Sequence, residues 1–392
     1  MVTPAQTIAE REAAAVLQTY GRAPVTFVRG DGCRLYDEEG KDYLDCLAGI
    51  AVVSVGHANA AVAAAVARQM TKLVHTSNLY YTVPQVELAE RLKELSGLDR
   101  VFFANCGATA NEAAIKLARR WGQKRRGPEC YEVISLLDSF HGRTLAALAA
   151  TGQPHKQEVF APLPPGFPQV PAGDIDAMAD AVGPQTAGVL VETTQGEGGV
   201  VPLTRRYLQE LRELCDEREV LLLFDDVQAG IGRTGSWFSW QQLGVEPDIA
   251  TLAKALANGL PIGACLSTER AAAFDYGDHA TTFGGGPVIT SAALAVLDEI
   301  ENRDLLANCR ERGAQFVERL KGVDGVIDVR GRGLLVGAVL ESDRAAEVTK
   351  TAMTNGLLVN NVVPDTVRFA PPLTISPDEV DEAVSRFEAS LG

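Results

Sequence analysis

The run Val220-Leu221-Leu222-Leu223-Phe224-Asp225 sets five apolar residues in a row and closes on a carboxylate. The stretch Ile249-Ala250-Thr251-Leu252-Ala253-Lys254 does the same with an amine. Unbroken apolar runs of this length predict strands covered on both faces, the pattern of a parallel sheet rather than of a half-solvated one. Open sheets of that kind hold ligands at the carboxyl ends of their strands, where Asp225 and Lys254 stand. Each charge taken alone reads equally well as a solvated group at a strand end.

The surrounding chain supports the sheet. Helical stretches at 58 to 71, 84 to 96, 108 to 126, 204 to 218 and 237 to 243 alternate with apolar strands at 101 to 103, 133 to 137, 188 to 191, 220 to 224, 249 to 252 and 263 to 267. That alternation predicts an α/β fold, a mostly parallel sheet between helices. Upstream, residues 4 to 20 read as a helix, followed by a meander of short strands turning at Gly30-Asp31-Gly32 and Glu39-Gly40. Downstream of Gly284-Gly285-Gly286-Pro287, helices at 288 to 300 and 303 to 321 and strands at 326 to 330 and 333 to 340 predict a smaller α+β domain. Its last helix opens on the capping signal Ser376-Pro377-Asp378-Glu379. The expected division is residues 1–57 as a segment joining the small domain, 58–282 as the large domain and 283–392 as the small domain. Pro162 to Pro171 reads as an ordered surface loop.

With 392 residues and 46% hydrophobic content the chain can bury a large core. Its formal charge of -15 argues against a nucleic acid or an anionic membrane as partner. The basic cluster Lys124-Arg125-Arg126 is better placed as a helix C-terminus. Seven scattered cysteines with no Cys-x-x-Cys pair predict free thiols in a reducing, cytoplasmic setting. No segment reaches the length of a membrane span, and the five histidines show no metal-ligand spacing, so no metal is expected.

Two glycine-bearing turns compete as anion sites. Phe103-Ala104-Asn105-Cys106-Gly107-Ala108-Thr109 runs from a strand into a helix, so the amides of Gly107, Ala108 and Thr109 would face a phosphate; an ordinary capped helix explains the same residues. Gly230-Ile231-Gly232-Arg233-Thr234-Gly235 matches the dinucleotide pattern, but it starts past Asp225 rather than at the strand end. It reads as a turn-rich loop, with a nucleotide-dependent dehydrogenase as the rival it would support.

Gly49-Ile50-Ala51-Val52, Phe140-His141-Gly142-Arg143-Thr144, Gln195-Gly196-Glu197-Gly198-Gly199, Phe224-Asp225-Asp226-Val227-Gln228, Arg233-Thr234-Gly235, Thr281-Thr282-Phe283-Gly284-Gly285 and Arg368-Phe369-Ala370-Pro371-Pro372 follow one another in the order seen in class III aminotransferases. From about Tyr20 onward the chain resembles that family, and within it most closely the enzymes acting on acetylornithine. The resemblance implies the fold-type I pyridoxal phosphate fold, built as a homodimer with its sites at the interface. It puts Lys254 on the cofactor aldehyde, Asp225 on the ring nitrogen, Gln228 beside the ring hydroxyl, and Phe140 and Val227 on the two ring faces. Cys106, Gly107 and Ala108 would bind the phosphate, with Thr282 reaching it from the other subunit. Arg368 would hold an α-carboxylate and Arg143 a second carboxylate, while Glu197 would pair with Arg368; Tyr20 and Ile50 would line the substrate. The implied reaction moves the terminal amino group of N2-acetylornithine to 2-oxoglutarate, with ornithine, succinylornithine, N-succinyl-diaminopimelate or another terminal amine as alternatives and a non-catalytic relative as the reading from another class.

The residues support these roles independently. A planar guanidinium binds carboxylates in bidentate fashion without losing its charge, and a lysine released from an aldehyde can carry the proton, which leaves His141 a structural part. The chain departs from the family at Cys106 (usually Ser), Thr109 (Glu), Thr193-Thr194 (Pro-Ile), Asp226 (Glu) and Gly286 (Asn). These changes bear on pocket shape and on the amine more than on the chemistry.

Overall fold

A computed structural model describes residues 7–392. Strands β1 (Phe27–Asp31), β2 (Arg34–Asp37) and β3 (Asp42–Asp45) form the expected antiparallel meander. Next in the chain come β4 (Arg100–Ala104), β5 (Glu132–Leu136), β6 (Gln169–Val170), β7 (Thr186–Val191), the hairpin strands β8 (Thr194–Gln195) and β9 (Val201–Pro202), then β10 (Leu221–Asp225), β11 (Ile249–Leu252) and β12 (Gly263–Ser267). Seven of these make one sheet in the order β4-β12-β11-β10-β7-β5-β6. The run from β11 to β6 is parallel, while β12 lies antiparallel to both its neighbours. The link from β11 to β12 explains the exception: it turns back at once, without the long crossover that a parallel partner needs.

Leu221, Leu222, Leu223 and Phe224 expose no surface; each such side chain contributes about 1.5–3 kcal/mol. The helix Gly107–Arg126 lies across β7, β11 and β12 and buries Ala110, Ala113, Ala114, Leu117 and Trp121. Its last turn carries Lys124, Arg125 and Arg126 beside the negative end of the dipole.

The C-terminal strands are β13 (Val326–Arg332), β14 (Leu335–Leu340), β15 (Leu357–Leu358), β16 (Asn360–Val363) and β17 (Thr366–Phe369). Four of them form the antiparallel sheet β13-β14-β17-β16, while β15 pairs with β3 and so ties the N-terminal meander to this part of the chain. The helix Pro377–Glu388 has its capping box: Glu379 N donates to Ser376 Oγ, and Ser376 N donates to Glu379 Oε2 at 2.9 Å.

Four expectations need correction. Of the helix expected at 4 to 20, residues 4–6 lie outside the described residues; the rest is helical only over Ile8–Ala15, which buries no residue, so no packing holds a helix beyond Val16. Residues 237 to 243 form turns instead of a helix, because side chains take the backbone groups that a helix needs: Phe238 N donates to Gln241 Oε1 and Ser239 N to Asp226 Oδ2. The proline-rich loop ends in a strand, since Gln169 and Val170 pair with β5. Lys254 lies just beyond its strand, at the start of a short 3-10 turn Lys254–Ala257.

Candidate active site

Strand register builds the floor of the site. Phe224 pairs with Val191 and Asp225 with Thr251, so Asp225 emerges at the sheet edge with Glu192 on one side and Thr251 on the other. Its carboxylate is fixed from three directions. Asn111 Nδ2 donates to Oδ2 at 2.7 Å, His141 Nδ1 to the same oxygen at 2.8 Å, and Val227 N to Oδ1 at 3.1 Å. Thr251 Oγ1 in turn donates to Asn111 Oδ1 at 2.7 Å, which settles the orientation of the amide. His141 is fully enclosed and supports Asp225, as its sequence context suggested.

Lys254 reaches the same space. Burial lowers the pKa of its amine, and the Arg368 charge acts in the same direction against Glu197, Asp225 and Glu192. Its backbone sits at φ 37°, left-handed for a lysine, a conformation that surrounding structure has to hold. A cavity of about 370 Å³ connects Lys254 and Asp225 with Cys106, Gly107, Ala108, Phe140, Arg143, Glu197, Val227 and Gln228.

The helix Gly107–Arg126 points its N-terminus into this cavity. The first amides of a helix have no partner within it, and Thr109 Oγ1 occupies itself with Asn105 N and Cys106 N, leaving the Gly107 and Ala108 amides for an anion. Gly107 is required here, because a Cβ would stand 2.7 Å from Val227 Cγ1. The turn therefore packs directly on a residue that flanks the cavity.

Arg368 stands behind the cavity, against the lining residues Glu197 and Gln228. The side chain is fully buried; its Nη1 donates to Glu197 Oε1 at 2.6 Å, Gly196 O at 3.0 Å and Gln228 Oε1 at 3.2 Å, and Nε to Asn360 Oδ1 at 3.2 Å. Among the described residues Nη2 has no partner, and an orphaned buried guanidinium nitrogen is a site for a carboxylate oxygen. Burial alone would raise the Glu197 pKa, but the charge and hydrogen bond of Arg368 overcome it and hold the group ionised below its usual range. Gly196 admits the contact with Gln228, since a Cβ would lie 1.7 Å from Gln228 Oε1.

Eleven of the expected site residues thus meet in or beside one cavity: Lys254, Asp225, Gln228, Val227, Cys106, Gly107, Ala108, Phe140, Arg143, Glu197 and Arg368. Three do not line it in the single chain. Tyr20 is 73% exposed beneath Arg22, Ile50 is 42% exposed next to the lining residue Val52, and Thr282 borders a separate crevice with His75, Asn78 and Gln85. Ile50 also sits at φ 70° in a left-handed turn, which Asp45 Oδ1 steadies by accepting from Leu47 N and Ala48 N. Arg143 is exposed toward solvent at the mouth and makes no ion pair among the described residues.

Sequence reasoning missed Glu192, Asn111 and Asn360. Glu192 accepts from Phe140 N at 3.0 Å, and burial pushes its carboxyl up to about 7. Its position was available in principle, as the residue that ends the apolar run beside the one ending in Asp225. The competing Gly230–Gly235 turn is no anion site. Gly232 packs on Leu373, Gly235 on Arg310, and the fully buried Arg233 spends its guanidinium on Leu334 O, Pro371 O and Ser54 Oγ.

The residues present fit pyridoxal phosphate. Free helix amides suit the phosphate, Phe140 and Val227 border the space of a flat ring, Asp225 ends at its floor, and a low-pKa amine stands opposite.

Relatives have the same character. The chain is 51% identical, over 95% of its length and 94% of the relative's, to an acetylornithine aminotransferase of Gloeobacter violaceus. Among solved structures, N-acetylornithine aminotransferase of Stenotrophomonas maltophilia K279a superposes with a TM-score of 0.83 at 36% identity, covering 95% of this chain and 96% of that one. Ornithine aminotransferase of Toxoplasma gondii, whose structure shows partial occupancy of PLP at its active site, superposes with a TM-score of 0.93 at 33% identity, covering 97% and 93%. The family model for class-III aminotransferases matches residues 16–391, and with the site just described this chain belongs to the class III, pyridoxal phosphate-dependent aminotransferases.

Proposed function

We propose that this aminotransferase takes the terminal amino group of N2-acetylornithine and gives it to 2-oxoglutarate, forming N-acetylglutamate semialdehyde and glutamate in arginine biosynthesis. The observation that carries the donor is the 51% identity over 95% of the chain to a relative named for it. The exposed apolar Ile50 agrees, since a free α-amine would find no acceptor on that side chain.

When bound, pyridoxal phosphate supplies an aldehyde on which amines condense and a ring that draws electrons from the substrate carbon. The chain supplies the rest. Lys254 would hold the aldehyde between turnovers. Its Nζ, kept from ready protonation by burial, would take the proton from the substrate carbon and return it one atom away. Asp225, locked by Asn111, His141 and Val227, would face the ring nitrogen, and Gln228 the ring hydroxyl. The Gly107 and Ala108 amides beside Cys106 would hold the phosphate, while Phe140 and Val227 would keep water from the ring faces. Arg368 would take the α-carboxylate through its free Nη2 and Arg143 the second carboxylate, with Glu197 neutralising Arg368 whenever that carboxylate is absent.

The working unit we propose is a cytoplasmic homodimer, in which Thr282 reaches the partner's site. Supporting it, Leu79, Tyr80, Tyr81 and Phe283 form exposed apolar surface near the Thr282 crevice, with Tyr81 99% exposed, a patch that suits association. Among the described residues no helix is long and apolar enough to cross a membrane. We keep the division 1–57, 58–282 and 283–392, with the helix Pro287–Asn302 packing on the large part through Ala60–Met70 and Val83–Ser96.

The test is the loss of cofactor colour on adding an amine to purified protein, followed for N-acetylornithine, N-succinylornithine and ornithine. Fastest bleaching by N-acetylornithine supports the proposal; a colourless protein, or one bleached fastest by ornithine, overturns it.

A further inference from the structure

Arg143, which lines the cavity, and Lys156 share the ring of Phe140. Arg143 Cζ and Lys156 Nζ each lie 5.8 Å from the centroid of the Phe140 ring. Neither forms an ion pair among the described residues, although acids outnumber bases by 51 to 36. Lys156 donates only to a neutral group, Gln153 Oε1. Burial lowers its pKa, and the Arg143 charge lowers it further against the pull of Glu197. Two like charges facing one space raise each other's cost. A chain this rich in carboxylates that leaves the pair uncompensated has a place ready for an anion that comes and goes.

We propose that Lys156 joins Arg143 in a two-cation subsite for the distal carboxylate of a dicarboxylate, which makes Lys156 a specificity residue for the acceptor. The aminotransferase reading enters only in naming 2-oxoglutarate as that dicarboxylate. Arg368 and Arg143–Lys156 then lie at opposite sides of Lys254 in function: one binds a carboxylate that every amino acid carries, and the other selects the molecules that carry a second. The phosphate of the cofactor is the other anion within reach, since Gly142, the neighbour of Arg143, packs on Ala108 in the phosphate turn.

Calorimetric titration of the holoenzyme with glutarate and with butyrate separates these sources. Wild type should bind glutarate more tightly. Lys156→Gln should lower that preference roughly three- to tenfold, the loss of about one charged contact. Lys156→Met, which keeps the aliphatic stem, should lose as much, and Lys156→Arg should restore most of it. An unchanged glutarate-to-butyrate ratio in both neutral variants overturns the proposal. So does a loss confined to cofactor affinity, measured by fluorescence titration of the apoenzyme, because that result assigns Lys156 to the phosphate. These readouts stay valid if wild type proves inactive on N-acetylornithine, an outcome that would sink the proposed reaction and not this subsite.

Discussion

The floor and the mouth of the cavity are built on opposite terms. At the floor Asp225 accepts three hydrogen bonds, and Asn111, one of its donors, is itself held by Thr251. At the mouth Arg143 makes no ion pair among the described residues and Ile50 faces outward. Buried polar groups have to be satisfied within the protein or they cost free energy, so the Asp225 carboxylate has its partners within one chain. Solvent-facing groups carry no such demand, and the mouth is left to be completed by ligand or partner. What stays constant in the reaction is thus set in the core, and what varies with the substrate is set at the rim.

The sharpest way to break this contrast is at Lys254. Lys254→Ala removes the amine placed to take the proton, and turnover should fall by about a hundred- to ten-thousandfold, the worth of proton transfer by a positioned group; steady-state activity within a few-fold of wild type would refute the role. Asp225→Ala comes next. It leaves His141 and Asn111 aimed at nothing and a ring nitrogen without its anion. Breaking a buried pair costs roughly 3 to 5 kcal/mol, so cofactor affinity should drop by about two to three and a half decades on fluorescence titration.

The same contrast explains what could be read from the chain alone. Asp225 and Lys254 were legible because continuous apolar runs announce buried strands, and a charge ending such a run is conspicuous. Arg368 stood out for the same reason inside β17. Glu192 ends an equivalent run in β7, but only the register with β10 shows that it lies beside Asp225. Asn111 sits in a helix where nothing local marks it as the residue that orients Asp225. The expected helix at 237 to 243 failed because its apolar spacing serves another purpose: Phe238 and Trp240 stack at 4.6 Å in the core while side chains satisfy the backbone. Tyr20, Ile50 and Thr282 belong to the rim, where one chain does not finish the structure.

Glu192, also on the floor, is a buried carboxyl with no ion pair among the described residues. Its folded value of about 7 stands above roughly 4.3 in an unfolded chain, so the folded protein holds the extra proton between those values. Its contribution to stability is complete below pH ~4.3 and is lost as pH rises through 7, at up to about 1.4 kcal/mol per pH unit. Asp226, also raised to about 7 by burial, acts in the same sense. Glu192→Gln should therefore flatten the decline by one proton's share, seen in urea unfolding of the apoprotein at pH 5, 6 and 7. Parallel curves for variant and wild type would show that Glu192 ionises as freely folded as unfolded.

Glu197 marks the border between the two regions, with 29% of its side chain exposed while its partner Arg368 has none. The pair has to open for a carboxylate to reach Nη1, whereas Nη2 is free beforehand. Glu197→Gln keeps an acceptor on Nη1 and removes the competing charge, so the α-carboxylates of glutamate and 2-oxoglutarate should bind more readily. A partly exposed ion pair is worth about 1 kcal/mol at most, which sets the gain at roughly threefold to fivefold in KM, the smallest effect in this series. Donors whose carboxylate meets Arg143 instead should gain nothing, so the two half-reactions, measured separately, ought to move apart. If both KM values shift together, Glu197 tunes the general field of the cavity and does not gate Arg368.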